Sequence, residues 1–541
     1  MSDAAIISTA TARHLKQPFP TSISLPDNIA TCALEHFHKR LDGNKGKPKV
    51  GEEWTVYAAI VATRQSKDGD KLWVVSCATG TKCTAQRENG YILHDAHAEV
   101  LARRGLVRVL WKEIQRNQSS TATVLNDDDV QQDFPSLLVP SAAHEDPHAT
   151  SEIQCPAVPK YRLDPRIQLH LYISDSPCGD ASIYSIASAV TESPNESSLR
   201  SNELQYTGAK VVVSIETGVS LSDCGGKHQL LHTASKISQH NVNTTSGSPV
   251  TAPTTVVARE ESQVLGKLRT KAGRSNLPDH LRSTSMSCSD KIALWGVLGL
   301  QGGFLSCLLN PPVIPLTSVV VSRDLQATKS SEGKKSHQGV ALERAISSRI
   351  LQAQKMLRTQ NRENTLVFAC RHVPTVHVVS AVFSSGKAAM RDVDSCRGNS
   401  SPIMPSSGQK RKRESGRCRP DDSSRTKSSP CGIALDWNQT DHDVELLVGA
   451  RGIRQGKKPK STQDFQKLSS RLSRANMEKF AAQLLPKPMF EVNGHRSYHH
   501  IKTQLAKDYS NCKSILFEEK CSPFSGWVRG VEENLIVHRT N

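Results

Sequence analysis

His97 and Glu99 stand two positions apart in the run His94-Asp95-Ala96-His97-Ala98-Glu99, and Pro177-Cys178 follows much later in the chain. An imidazole and thiolates are donors that hold Zn²⁺, the metal lowers the pKa of a bound water, and a nearby carboxylate that is not a ligand moves protons. His97 reads as the ligand and Glu99 as the shuttle, for hydrolytic attack on the amino-bearing carbon of a nucleobase. The signature usual for such chemistry closes with a second cysteine three residues after the first. That position is Ala181 here, so Cys178 stands alone and a third ligand must come from elsewhere. Taken separately, a His-x-Glu triplet among 20 histidines and a lone cysteine also read as a surface histidine and a buried structural thiol.

The elements around these residues sharpen the reading. Asp95 has N-cap chemistry for a helix over 96–111, whose Val100, Val107 and Leu110 recur near helical spacing, so His97 and Glu99 are expected in its first turn. Residues 168–174 alternate apolar and polar like a strand, and Ser176-Pro177 suits the start of a new helix, placing Cys178 at a helix N-terminus that favours a thiolate. The candidate third ligand is Cys288, just after Ser287, which can cap a helix carrying Asp290 in its first turn. Three ligands leave the fourth tetrahedral position to water, as a catalytic zinc needs.

With 541 residues and low-complexity stretches, one core interrupted by insertions is the expected organisation. No apolar run is long enough to span a bilayer and the N-terminus lacks signal-peptide character, which points to an intracellular protein of nucleus or cytoplasm with no membrane association. The 14 cysteines lack the rhythm of a disulfide scaffold. A formal charge of +17 points to a polyanionic partner. Residues 385–432 hold eleven Lys or Arg against five Asp or Glu, so +6 lies in that linker and +11 remains elsewhere. The linker's Lys410-Arg411-Lys412-Arg413 reads as a nuclear import signal, an RNA-contacting patch or a solvated stretch. Residues 26–41 predict an opening helix on Ile29, Ala33 and Phe37, and 54–62 and 72–77 predict two strands joined around Asp68-Gly69-Asp70. Short β-branched runs occupy 210–215 and 318–322, and 341–354 reads as helical. Disordered insertions are expected over 114–160, 220–258 and 385–432, and there is no internal repeat. Strands alternating with helices imply an α/β sheet layered by helices.

Gly80-Thr81-Lys82-Cys83, His97-Ala98-Glu99 followed by Arg103-Arg104, Ser176-Pro177-Cys178-Gly179-Asp180, and residues 285–291 followed by Trp295 and Gly299-x-Gln301-Gly302 occur in the order found in adenosine deaminases acting on RNA. The chain most resembles the eukaryotic tRNA-specific adenosine deaminase 1 family, in a fungal version, over most of 25–115, 160–215, 262–325, 365–383 and 431–530. The resemblance implies a cytidine-deaminase-like fold enlarged by a C-terminal part, one editase domain over 25–541, and zinc on His97, Cys178 and Cys288 with Glu99 as proton shuttle. It implies deamination of adenosine to inosine in tRNA, at the adenosine just 3′ of the anticodon of tRNA-Ala; no obligate protein partner is evident from the sequence, and the oligomeric state stays open. It further implies a buried inositol hexakisphosphate on Arg103, Arg104, Lys291, Arg474, Tyr498, Lys502, Tyr509, Lys513 and Trp527. A buried hexaphosphate needs many donors, because an unpaired buried charge is very costly. Leu294 stands where relatives carry a basic residue, Gly303 replaces a serine, and the spacing from Lys502 to Tyr509 is one residue longer. A run of this kind also reads as an amphipathic surface helix. Thr81 and Lys82 resemble residues that approach the target nucleotide, His94 stands where relatives often have Asn, and 271–276, with Lys271 and Arg274, is a candidate RNA-contact loop or an ordinary turn.

Three rival functions remain open from sequence. An editor of duplex RNA is disfavoured because only about 50 residues precede the first strand and no repeated duplex-binding module appears. A deaminase of free cytidine or deoxycytidylate is disfavoured by the missing Cys-x-x-Cys. An inactive RNA-binding protein with structural zinc would have no use for Glu99.

Overall fold

The computed structural model describes residues 24–67, 70–86, 90–120, 134–141, 160–184, 210–211, 265–271, 278, 282–325, 335–359, 372–390, 428–484 and 506–529. Ser24 caps α1 (Leu25–Arg40) by accepting from the Asp27 N–H, and the helix buries Ile29, Ala33 and Phe37 as their spacing predicts. The elements that matter for the site then follow in order. They are β1 (Tyr57–Arg64), β2 (Lys71–Thr79), β3 (Thr81–Cys83), β4 (Asp95–His97), α2 (Ala98–Ser120), β5 (Ile167–Ile173) and α3 (Cys288–Leu298). After these come β6 (Ser318–Ser322), α4 (His337–Glu343), α5 (Arg349–Thr359), β7 (Thr375–Val379), β8 (Ile433–Asn438), β9 (Glu445–Val448), β10 (Ile453–Arg454), α6 (Arg474–Leu484) and α7 (Lys507–Glu518).

Eight strands form one mixed sheet in the order β7-β6-β5-β1-β2-β8-β9-β10. β5, β6 and β7 run parallel, joined by crossovers that carry α3 and then α4 and α5, while the other neighbours are antiparallel. Both faces are covered, and β1 shows why its sequence is apolar at successive positions. Tyr57, Ala59 and Val61 pack with Phe37 of α1, Tyr172 and Trp437 on one face. Ala58, Ile60 and Ala62 face the opposite core with Leu101, Leu106 and Val109 of α2 and Ile292 of α3. Side chains alternate across a strand, so a strand buried on both sides loses its polar positions. The expected α/β sheet layered by helices is what the chain builds. No helix among the described residues is long and apolar enough to cross a membrane.

Several local expectations are corrected. The strand expected from Trp54 begins at Tyr57, because Glu53–Trp54 pairs with Ser429–Pro430 outside the main sheet. The helix expected at Ala96 begins at Ala98, because Asp95–His97 is held as a strand against Thr81–Cys83. Its other end runs to Ser120 with Ile114 fully buried, and Leu137 and Leu138 are also buried, so core residues lie inside the insertion expected over 114–160. Cys178 does not open a helix of useful length: only the short 3-10 turn Asp180–Ser182 follows it. The helical stretch expected over 341–354 extends across α4 and α5 with a π turn, Arg344–Ser348, between them. Residues 68–69, 212–215, 220–258 and 391–427 lie outside the described residues.

His170 on β5 is 1% exposed, its ring nitrogens facing Thr63 Oγ1 at 3.1 Å and Ser318 Oγ at 2.8 Å. Burial, then the nearby His377, lowers its pKa from 6.5 to about 4. The unfolded chain therefore takes up this proton first on acidification, and the stability the neutral ring contributes is complete above pH 6.5 and falls as pH drops towards 4. The loss should approach about 3 kcal/mol, measured as unfolding free energy against pH, and His170→Gln should flatten that part of the profile.

Candidate active site

β3 and β4 pair so that Thr81 faces His97, Lys82 faces Ala96 and Cys83 faces Asp95. His97 thus ends a strand rather than beginning a helix, and Glu99 falls in the first turn of α2. Ser287 caps α3 as expected, its hydroxyl accepting from the Asp290 N–H, which sets Cys288 at the start of that helix. Cys178 reaches the same place from the loop after β5. Gly179 there has φ +111°, and a Cβ on it would meet the Ser287 hydroxyl at 2.2 Å, so this close approach to the α3 N-terminus requires glycine. The Ser289 N–H donates to the Cys178 carbonyl at 3.0 Å, and the Cys288 N–H points at Cys178 Sγ from 3.4 Å. The His97 ring and the Cys288 thiol both act on the Cys178 thiol. Three segments far apart in sequence therefore bring His97, Cys178 and Cys288 together.

Asp95 is the hub behind them, and sequence reasoning gave it only a capping role. Its Oδ1 faces His97 Nδ1 at 2.8 Å and accepts from the His97 N–H at 3.1 Å. Its Oδ2 accepts from Lys271 Nζ at 2.7 Å, Ser285 Oγ at 2.9 Å and Lys291 Nζ. Burial pushes this carboxyl up, but Lys271, Lys291 and His97 outweigh it and hold the pKa well below the usual range. Lys271 also donates to Cys288 Sγ at 3.0 Å. Although burial disfavours its charge, Asp95 and the two cysteines keep it protonated. The hydrogen bond from Cys288 lowers the Cys178 thiol, with Lys271 and His97 acting in the same direction against burial. Lys271 is 5% exposed, so the solvent-facing RNA contact expected of it is corrected: its ammonium points into the cluster. Arg274 lies outside the described residues.

Glu99 is 2% exposed and its Oε2 has no hydrogen-bond partner among the described residues. Burial, then Cys178, raises its pKa. A carboxylate oxygen left unsatisfied beside an imidazole and two thiols is what a proton shuttle awaiting water and substrate presents. Among the described residues no group of three or more His, Cys, Asp and Glu side chains is set to hold a metal as it stands. His97 directs Nδ1 to Asp95, and Lys271 occupies Cys288. The donor set, one imidazole and two thiols with an orphaned carboxylate oxygen beside them, nonetheless fits zinc chemistry.

A second tier, whose arginines no sequence signal marked, ties the two cysteine loops together. Asp180 and Asp290 each follow a cysteine by two residues and are fully buried. Arg344 donates to Asp180 Oδ2 at 3.1 Å and to the carbonyls of Asp180 and Ile183 at 2.9 and 3.0 Å. Arg349, 3% exposed, donates to Asp290 Oδ1, lies 3.9 Å from Asp180 Oδ2, and reaches the Gly266 carbonyl at 3.1 Å. Residues five apart diverge around an α-helix. The wider π turn Arg344–Ser348 between these two arginines lets both reach the acid pair.

The residues expected around a polyphosphate divide. Lys291, Trp527 and His94 line one cavity of about 210 Å³ with Arg282, Thr84 and Ser285. Arg103 donates to the Leu300 carbonyl at 2.8 Å and lies over Trp295, while Arg104 donates to the Leu472 carbonyl at 2.6 Å. Arg104 and Arg474 both act on the buried Glu478, whose Oε1 lies 3.6 Å from Arg474 Nε. Tyr509 packs beside Gly303, Lys513 lies over Phe517, and Trp527 stacks on Phe517 at 4.9 Å. Leu294 is buried in the apolar core, so this position gives the cavity no charge. Tyr498 and Lys502 lie outside the described residues. Thr81 and Lys82 are half-buried on β3 beside His97.

A family model described as the adenosine-deaminase (editase) domain matches residues 76–134 and 138–530. The chain is 28% identical to tRNA-specific adenosine deaminase 1 of Drosophila melanogaster over 288 residues, which cover 53% of this chain and 52% of that protein. It is 29% identical to tRNA-specific adenosine deaminase 1 of Homo sapiens over 362 residues, covering 55% and 66%. It is 26% identical to double-stranded RNA-specific editase Adar of Drosophila melanogaster over 324 residues, covering 56% and 34%. The chain thus spans between half and two thirds of the tRNA-specific relatives it matches.

Proposed function

Because the chain belongs to the adenosine-deaminase (editase) domain family, we propose that it hydrolyses adenosine to inosine in tRNA, at the adenosine just 3′ of the anticodon of tRNA-Ala. The observation that carries this reading is the unpartnered Glu99 Oε2 buried beside His97, Cys178 and Cys288. Those three residues would hold Zn²⁺, which when bound acts as a Lewis acid that lowers the pKa of a water. Glu99 accepts a proton from the attacking water and passes it to N1 as the C6–O bond forms. It then takes the remaining hydroxyl proton and delivers it to the amino group, so that the C6–N bond breaks, ammonia leaves and Glu99 returns to its starting state. Asp95 holds the His97 ring in one orientation throughout. The target base must turn out of its stack to reach these buried groups. The tRNA-specific relatives support tRNA as the substrate, and the cavity on Lys291, Arg282 and Trp527 supports a bound inositol polyphosphate.

The likeness to a double-stranded RNA-specific editase supports a second reading, duplex RNA as substrate. Incubating the purified protein with total tRNA and with a long RNA duplex, then mapping inosine by sequencing, separates the two. Inosine next to the anticodon of tRNA-Ala is expected; inosine confined to the duplex, or absent from both, would overturn the proposal.

The arginine tier makes a separate prediction. Arg349→Met removes the guanidinium that bridges Asp290 and Asp180, which should let the two cysteine loops drift apart. Zinc affinity, measured by competition with a chromogenic chelator, is expected to fall several-fold, less than the roughly 10- to 100-fold typical for groups bonded directly to metal ligands. Arg349→Lys should recover part of it, and wild-type affinity in Arg349→Met would contradict the assigned role.

A further inference from the structure

We infer that the exposed basic run over residues 451–460 is a phosphate-binding surface that seats the backbone of the substrate RNA beside the active site. The inference rests on the reading above that the substrate is RNA. Between positions 451 and 467 the chain carries Arg451, Arg454, Lys457, Lys458, Lys460 and Lys467 against Asp464 alone. These six basic residues are exposed. Asp464 is already spent on the capping box of the helix Thr462–Leu468, its carboxylate accepting from the Lys460 and Ser461 N–H groups at 2.9 and 3.2 Å. Glu445 is engaged by Ser470 and by the Arg471 N–H. Arg451, Lys457, Lys458 and Lys460 consequently enter no ion pair among the described residues. A solvated loop would be expected to mix the signs of its charges, whereas a single-sign run repels itself and gains when a polyanion neutralises it.

Its position is set by the turn between β9 and β10, which docks on the segment carrying the site. The Leu93 N–H donates to the Gly452 carbonyl at 2.8 Å. Gly452 has φ +64°, and a Cβ there would stand 2.0 Å from the Leu93 carbonyl oxygen, so only glycine permits this contact. A Cβ on Gly449 would stand 2.9 Å from the Lys82 Cβ. The turn, with Arg451 in it, therefore lies against Lys82 of β3 and the residues just before His94 and β4, and the rest of the basic run continues through and after β10, which pairs antiparallel with β9. Phosphate contacts fix the register of a nucleic acid without reading its sequence. Here they would hold the RNA while one base is presented to Glu99.

The test uses the full chain with Lys457→Glu, Lys458→Glu and Lys460→Glu combined. A control of equal charge change combines Lys39→Glu, Arg40→Glu and Lys45→Glu, exposed residues in and just after α1, on the sheet face away from α2. Binding of unfractionated tRNA is followed by fluorescence anisotropy across a salt series, and turnover is measured at saturating tRNA. The lysine variant should bind about tenfold more weakly near 0.1 M salt, with the log–log salt slope reduced by roughly two to three, because each of the three lost phosphate contacts removes about 0.7–0.9 units. Its kcat should stay within about twofold of wild type, since no group at the chemistry is touched. Glutamine at the same three positions should give a smaller loss in the same direction. Wild-type binding and slope in the lysine variant, or an equal loss in the control, would overturn the inference. Weakened binding confined to the lysine variant, in a protein whose wild type yields no inosine, would uphold this surface and count against the deaminase reading alone.

Discussion

Glu99→Gln is expected to lower the deamination rate by about 10²–10⁴-fold or more, the range a single acid–base group contributes, because in the proposed mechanism one carboxylate makes every proton transfer. Substrate affinity and zinc content should stay near wild type, since the side chain contacts none of the three candidate ligands through a bond it must keep. The substitution should also leave the melting temperature unchanged or raise it. Glu99 is 2% exposed and its Oε2 has no partner among the described residues, an arrangement expected to cost folding energy. Zinc loss from the variant, or turnover within a few-fold of wild type, would remove Glu99 from the role of shuttle.

Asp95→Ala should be the most destabilising single change at the site. Two ammonium groups, Lys271 and Lys291, donate to the same Oδ2, and Lys271 is 5% exposed. Removing the carboxylate leaves those charges without their anion, a situation that typically costs about 3–5 kcal/mol. The measurement is the unfolding free energy by denaturant titration, with soluble yield expected to fall in parallel. Adding Lys291→Met to Asp95→Ala should recover part of the loss, giving a coupling of roughly 0.5–3 kcal/mol between the positions. Strict additivity would mean that the pair does not share an energy. Zinc affinity should fall too, because the His97 ring loses the group that orients Nδ1.

Both predictions start from residue types legible in the sequence and end on contacts that are not. His97 and Glu99 stand out as candidates because donor chemistry and spacing are local, and Cys288 because Ser287 and Asp290 mark a helix start, whose cap the structure contains. The opening helix and β5 were legible because apolar periodicity acts within one segment, and β6 showed only as a short β-branched run. Asp95 was misread as a cap because its local context suits one. What makes it a strand residue is pairing with β3, and what makes it a hub is Lys271, 176 positions away. Lys271 looked like a surface loop because lysine usually is one, and only tertiary packing shows its ammonium held inside by an anion and a sulfur. Arg344 and Arg349 carried no signal at all, since their spacing matches no α-helical face until a π turn brings them to Asp180 and Asp290. The sequence by itself determined which side chains can hold a metal and move protons, because that is intrinsic to the side chains. Only the tertiary structure decided which charges neutralise one another, because burial and pairing are properties of segments that meet across long stretches of chain.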